Sequence, residues 1–189
     1  MACVWRVNII KDKYYATLVN IKVLARTAET KTFTEQAIQV KQLISDFRVK
    51  ECVIDTNGLG IGLADEMIKS QVDKDGVIWE PLGFFNNDDY KKIQPKGCPQ
   101  ILYSLKANGP LNSKIHSNAY SRINNGSVRF LIKEQEARSA LLSTKIGQRM
   151  SLQDRILRLM PHEMTTKLFE EMANLRLKRT GVGLDITLE

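Results

Sequence analysis

Residues Val53–Leu63 read VIDTNGLGIGL, and the fold turns on how this stretch is interpreted. With Cys52, Val53 and Ile54 form a short continuous apolar run, which suits a central strand buried on both faces. Asp55 follows directly. Asn57, Gly58, Gly60 and Gly62 then supply a turn, and Leu63–Ser70 begins a helix. A carboxylate fixed at a strand end, with glycines leaving space beside it, is placed to offer oxygen ligands to Mg²⁺ or Mn²⁺. The same aspartate before Asn-Gly also suits a purely local role, capping its own turn through the backbone. The glycines run G-x-G-x-G rather than G-x-G-x-x-G, and no G-x-x-x-x-G-K-[ST] occurs, so dinucleotide and P-loop readings have little support.

Working outward, residues 1–10 (MACVWRVNII) and 14–24 (YYATLVNIKVL) are rich in β-branched and aromatic residues. They flank the polar turn Lys11-Asp12-Lys13 and predict an antiparallel hairpin. Thr32 followed by Glu35 is a capping-box pattern. Phe33, Ala37, Val40, Ile44 and Phe47 recur at helical spacing after it, predicting an amphipathic helix that ends near Arg48–Lys50. Helix and strand thus alternate in the βαβ manner of an α/β protein with a mixed sheet.

Downstream, Val77–Phe85 reads as a strand and Asn86–Pro99 as a polar loop with two prolines. Lys114–Asn124 predicts a helix, and Ser127–Ile132 a strand after the Asn124-Asn125-Gly126 turn. Glu134–Lys145 and Pro161–Arg179 read as helices, the second with Met164, Leu168, Met172 and Leu175 on one face. Val182–Leu188 reads as a final strand. With no internal repeat and no linker-like run, residues 1–189 are taken as a single domain.

Composition narrows the function classes. No apolar run can span a bilayer and residues 1–20 lack the order of a signal peptide, so the expectation is a soluble intracellular protein with no membrane partner. Cys3, Cys52 and Cys98 lie far apart and only His116 and His162 occur, which argues against a disulfide framework or a zinc site. The net charge of +7 points to a polyanionic partner, and Ser121–Thr180 holds twelve Lys/Arg against six Asp/Glu. Arg122, Arg129, Arg138, Lys145, Arg149, Arg155 and Arg158 are the candidate phosphate contacts, which would position DNA without reading its sequence. A solvated surface with a modest basic bias is the plainer alternative. Trp5 and Trp79 read as packing residues; Asp65, Glu66, Glu170 and Glu171 read as surface charges; His116 and His162 read as surface or helix-start residues.

The phrase VIDTNGLGIGLADEM at 53–67 resembles the strand–turn–helix that carries the second metal-binding acid in the nuclease domain of the tailed-phage terminase large subunit. SKIHSNAYSRINNGSVRFL at 113–131 and PHEMTTKLFEEMANLRLK at 161–178 have similar spacing to that family, so the resemblance covers most of the chain. It implies a ribonuclease H-like mixed sheet flanked by helices, and Mg²⁺- or Mn²⁺-dependent cleavage of double-stranded concatemeric DNA. The implied partners are double-stranded DNA, the packaging ATPase domain, the small terminase subunit and the portal, in the cytoplasm of an infected or lysogenic bacterial host. The pattern departs at both ends. The family's first acid precedes the strand that MACVWRV matches, and its third follows a strand like Val182–Leu188, so a missing first strand and last helix are expected. Only Asp55 carries over as a catalytic metal ligand; Asp185 does not match the family's position. A non-catalytic DNA-binding or packaging-complex module of the same fold is the alternative, and an unrelated soluble α/β protein a third.

Overall fold

A computed structural model describes residues 1–24, 32–180 and 183–188. The chain is mixed α/β and forms two compact units, one from Met1–Val23 with Gly109–Glu189 and the other from Leu24–Asn108.

The first unit opens with the expected hairpin, β1 (Ala2–Ile10) antiparallel to β2 (Lys13–Lys22). Its turn residues Lys11 and Asp12 both have positive φ, 48° and 59°. That is the signature of a type I′ turn, whose twist matches that of the flanking strands.

In the second unit, α1 (Phe33–Phe47) starts where expected and stops at Arg48, which is left-handed with φ 50°. The capping box does not close, because Thr32 makes no side-chain cap bond. The predicted stripe faces the core except at its end, with Ile44 packed against the core cluster and Lys41 and Leu43 widening the face. Ala37, Val40, Lys41 and Leu43 are buried, whereas Phe47 is 42% exposed.

Next come β3 (Cys52–Asp55) and α2 (Gly60–Met67). The helix begins three residues earlier than predicted, and its glycines explain why. A Cβ on Gly60 would lie 1.6 Å from the Asp55 carbonyl oxygen, and one on Gly62 would lie 2.5 Å from the Phe33 ring. Glycine lets the first turn pack directly on the strand end and on α1.

The expected strand at 77–85 is two short ones separated around Pro81. One, β5 (Ile78–Trp79), pairs antiparallel with β4 (Gln71–Val72), while β6 (Gly83–Phe84) joins a different sheet. The predicted loop 86–99 contains α3 (Asp88–Ile93), capped by the Asn87 side chain, which accepts from the Asp89 and Tyr90 N–H groups. After it, β7 (Gln100–Leu105) lies at the centre of a parallel sheet of order β3-β7-β6. Among the described residues β3 is therefore an edge strand. It is buried on one face only: Ile54 is in the core while Val53 is 57% exposed, correcting the expectation of a central strand. The core of this unit gathers Ala37, Val40, Ile54, Ala64, Met67, Phe84 and Leu102.

The first unit resumes with α4 (Gly109–Asn124) and β8 (Val128–Arg129), which runs parallel to β2. Then follow α5 (Glu134–Leu142), α6 (Lys145–Arg149), α7 (Leu152–Ala173) and the antiparallel pair β9 (Leu175–Thr180) and β10 (Gly183–Leu188). The strand predicted at 182–188 thus begins at Gly183; Val182 lies outside the described residues. The helix predicted from Pro161 starts nine residues earlier, where Ser151 caps it by accepting from Asp154 N–H at 3.1 Å. Pro161 lies inside it. The helix stops at Ala173, so Leu175 belongs to β9 and not to the helical face. Phe130 makes edge-on contacts with Trp5 and Phe169, with ring centres 5.9 and 5.2 Å away. Leu18, Ile21, Ala137 and Leu159 are buried. No described helix is long and apolar enough to cross a membrane.

Candidate functional site

Asp55 is the last residue of β3 and pairs with Leu105 of β7, so it stands at the carboxyl end of the parallel sheet. In open α/β sheets that end is where ligands bind. The side chain is exposed. Its Oδ1 accepts the Asn57 backbone N–H at 3.0 Å, which is the local turn-capping role the sequence left open.

The chain around Asp55 is firmly anchored. Thr56 N–H donates to the Leu105 carbonyl at 2.9 Å, and the Thr56 and Ser104 hydroxyls are 2.7 Å apart. Asn57 Nδ2 donates to the Ala107 carbonyl at 3.1 Å. Asn86 pairs its side-chain amide with the Ser104 backbone in both directions, at 2.7 and 2.8 Å, extending the parallel ladder with a side chain. Asn87 Nδ2 reaches Ser104 Oγ at 3.2 Å. Of these polar residues only Asn57 was singled out from sequence, as part of the turn. The Asn86-Asn87 pair directly after an apolar run was the available signal.

A shallow open cavity of about 230 Å³ lies beside this strand end, lined by Thr56, Asp65, Asn87, Tyr90, Ile93 and Lys106 among others. Asp65 and Glu66, expected as surface charges, are half-buried hydrogen-bond acceptors. Tyr90 Oη donates to Asp65 Oδ1 at 2.8 Å, and its ring stacks on Phe84 at 4.4 Å. Burial, then the Asp65 carboxylate, holds the Tyr90 hydroxyl pKa well above its usual value. Glu66 accepts from Thr34 at 2.8 Å and Lys69 at 2.7 Å, and the Lys69 bond is the largest influence holding its pKa down. Both carboxylates therefore hold elements together.

A two-metal centre needs several carboxylates converging on one place. Among the described residues no group of three or more His, Cys, Asp or Glu side chains is arranged to hold a metal ion. Glu170 and Glu171 are exposed on α7, and Asp185 lies on β10, where only the backbone is described. The described residues around Asp55 do not fit a divalent-metal catalytic centre.

The basic candidates sit in the unit formed by Met1–Val23 and Gly109–Glu189. Arg122 is on α4, Arg129 on β8, Lys145 and Arg149 on α6, and Arg158 on α7. All five are exposed, and none has an ion pair among the described residues. Arg138 is exposed but paired with Glu134. Arg155 is half-buried and donates to the Met150 and Gln148 carbonyls, each at 3.1 Å, fixing the α6–α7 corner. His116 is exposed on α4, whereas His162 lies within α7 with Nδ1 2.9 Å from the Ile132 carbonyl oxygen. No family model, no curated protein and no solved structure matches the chain, so the reading of this site rests on its own residues.

Proposed function

We propose that this chain binds double-stranded DNA through the basic surface of its first unit, as a packaging-complex module related to the terminase nuclease domain. One observation carries the reading: the charge is segregated. The unit of Met1–Val23 and Gly109–Glu189 holds seventeen Lys/Arg against nine Asp/Glu, a net +8. Leu24–Asn108 holds eleven against twelve, a net −1. A net excess confined to one unit attracts phosphates far better than the same excess spread over the whole surface.

The order hairpin, helix, strand, with Asp55 at the carboxyl end of a parallel strand, supports the ribonuclease H-like reading and with it the DNA-packaging context. The packaging ATPase domain, the small terminase subunit, the portal and a bacterial host cytoplasm belong to the same proposal. Cleavage assisted by Mg²⁺ or Mn²⁺ is the second reading, favoured by the position of Asp55. It ranks lower because one carboxylate, already capping a turn, cannot hold two ions.

Incubating the purified chain with supercoiled plasmid and Mn²⁺ separates the two. The binding reading expects retarded plasmid that stays supercoiled. Nicking that disappears in Asp55→Ala would establish the nuclease instead. Absence of any retardation at low salt would remove both.

A further inference from the structure

We propose that α4 is the helix of the first unit that enters the major groove of the duplex. This rests on the DNA-binding reading above and assigns the element that makes the groove contact. The helix contributes no buried residue: thirteen of its sixteen positions are exposed, and only Leu111, Ser113 and Ile123 are half-buried. A helix with so little in the core owes its residue choice to what its surface meets.

Spacing by four divides α4 into rows. Leu111, Ile115, Ala119 and Ile123 form an apolar row, and the helix lies against β8 and β10. Lys114, Asn118 and Arg122 form a cationic row on one flank. Asn112, His116, Tyr120 and Asn124 form a row of aromatic and amide groups on the other. Ser117 and Ser121 lie between these flanks, opposite the apolar row. Tyr120 is 61% exposed, and neither Lys114 nor Arg122 has an ion pair among the described residues.

Every polar side chain in the outward rows can donate a hydrogen bond, and none is negative. From Gly109 to Lys133 there are four Lys/Arg and no Asp/Glu, whereas α5 carries Glu134 and Glu136 and α7 carries Asp154, Glu163, Glu170 and Glu171. The positive charge along α4 is therefore uncompensated by its own neighbours in sequence, which suits a polyanion. A protein partner fits less well, because protein docking faces centre on aromatic and apolar anchors and these three rows hold one tyrosine. The major groove admits an α-helix. With Ser117 and Ser121 towards the base edges, their short side chains let the backbone come close. The Lys114–Arg122 row, about 12 Å long at 1.5 Å per residue, then reaches the phosphates of one wall, and His116 and Tyr120 reach the other. Hydroxyls bond to either kind of base pair, so such a helix gives affinity with little sequence preference.

Fluorescence anisotropy of a labelled duplex tests this on the whole chain, with circular dichroism checking that each variant folds. Ser121→Glu sets a carboxylate between two phosphate walls and should weaken binding at least about tenfold more than the charge-matched Gln135→Glu on exposed α5 surface. Glutamate is a better helix former than serine, so melting of α4 does not account for such a loss. Lys114→Gln with Arg122→Gln should lower the slope of log K against log salt by about 1.8. Methyl green, which occupies the major groove, should displace the chain, and netropsin, which occupies the minor groove, should not. A parent chain that does not bind the duplex overturns the DNA-binding reading and this assignment together. A parent chain that binds overturns the assignment alone if Ser121→Glu is no weaker than Gln135→Glu. The same holds if the double substitution leaves the slope unchanged, or if netropsin rather than methyl green displaces the chain.

Discussion

Lys41 shows how much a single residue contributes here. It occupies the buried face of α1 at 3% exposure, and its ammonium donates to the Lys69 carbonyl and to Gln71 Oε1, each at 2.6 Å. A third, longer bond of 3.5 Å reaches the Trp79 carbonyl, so one side chain ties α1 to the end of α2 and to the β4–β5 pair. Burial is the largest influence on this ammonium and lowers its pKa from 10.5 to about 8, against the opposing pull of Glu66 and Glu80. Between those values the unfolded chain holds a proton that the folded chain has released, so stability rises with pH across that window. Cys52 acts in the opposite direction: burial pushes its thiol from 9.0 up to about 11, so above pH 9 folded protein holds the extra proton and stability falls. The interval from pH 8 to 9 therefore isolates Lys41. Urea midpoints should rise across it in the parent chain and stay flat in Lys41→Met. At pH 7 the same substitution should cost about 1–3 kcal/mol, because it leaves buried acceptors without donors.

Gly60 is equally exacting. A Cβ 1.6 Å from the Asp55 carbonyl oxygen cannot be accommodated without moving the strand end. Gly60→Ala should lower stability by more than about 3 kcal/mol, well beyond the ordinary cost of a surface change, as read by thermal unfolding. Gly58→Ala, with nothing within 4 Å but φ +56°, should cost only about 1 kcal/mol through its backbone.

At the scale of elements, what could be read in advance depended on how local the signal was. The N-terminal hairpin was legible because two runs rich in β-branched and aromatic residues flank a polar turn, and α1 because its helical spacing extends over fifteen residues. The period also placed most of the α1 face that packs on the core, while Lys41 joins that face through bonds to the end of α2 and to the β4–β5 pair, which no period announces. The strand β7, QILYSL, was missed: six residues mixing polar Gln100 and Ser104 with apolar neighbours, after a stretch with two prolines, are too few to carry a clear period. Its place at the centre of a sheet comes from partners far away in sequence. The helix α7 was misplaced because Pro161 looks like a helix start, whereas the Ser151 cap lies ten residues before it. Inside a helix, proline removes a backbone donor and crowds the preceding turn. Pro161→Ala should therefore raise stability by roughly 1–3 kcal/mol, measured as an upward shift in Tm, and a fall would show that the ring's packing outweighs the lost bond.

At the scale of the whole molecule, charge was legible and its segregation was not. Counting residues locates the excess after Ser121, but only the structure assigns Met1–Val23 to the same unit and so brings Arg6, Lys11, Lys13 and Lys22 into it. The site was legible in part. The placement of Asp55 at the carboxyl end of a parallel strand follows from VIDTNG. The Thr56, Asn86, Asn87 and Ser104 network around it depends on contacts across more than fifteen residues, of which the Asn86-Asn87 pair is the one local trace.

The most direct measurement is fluorescence anisotropy of a labelled duplex titrated with the chain across a range of salt concentrations. Affinity should fall steeply with salt, and Arg149→Gln with Arg158→Gln should reduce the slope of log K against log salt by about 1.8, since each lost phosphate contact removes about 0.9. Asp55→Asn should leave that slope unchanged. A slope the double substitution does not alter, or an affinity insensitive to salt, would contradict DNA binding through this surface.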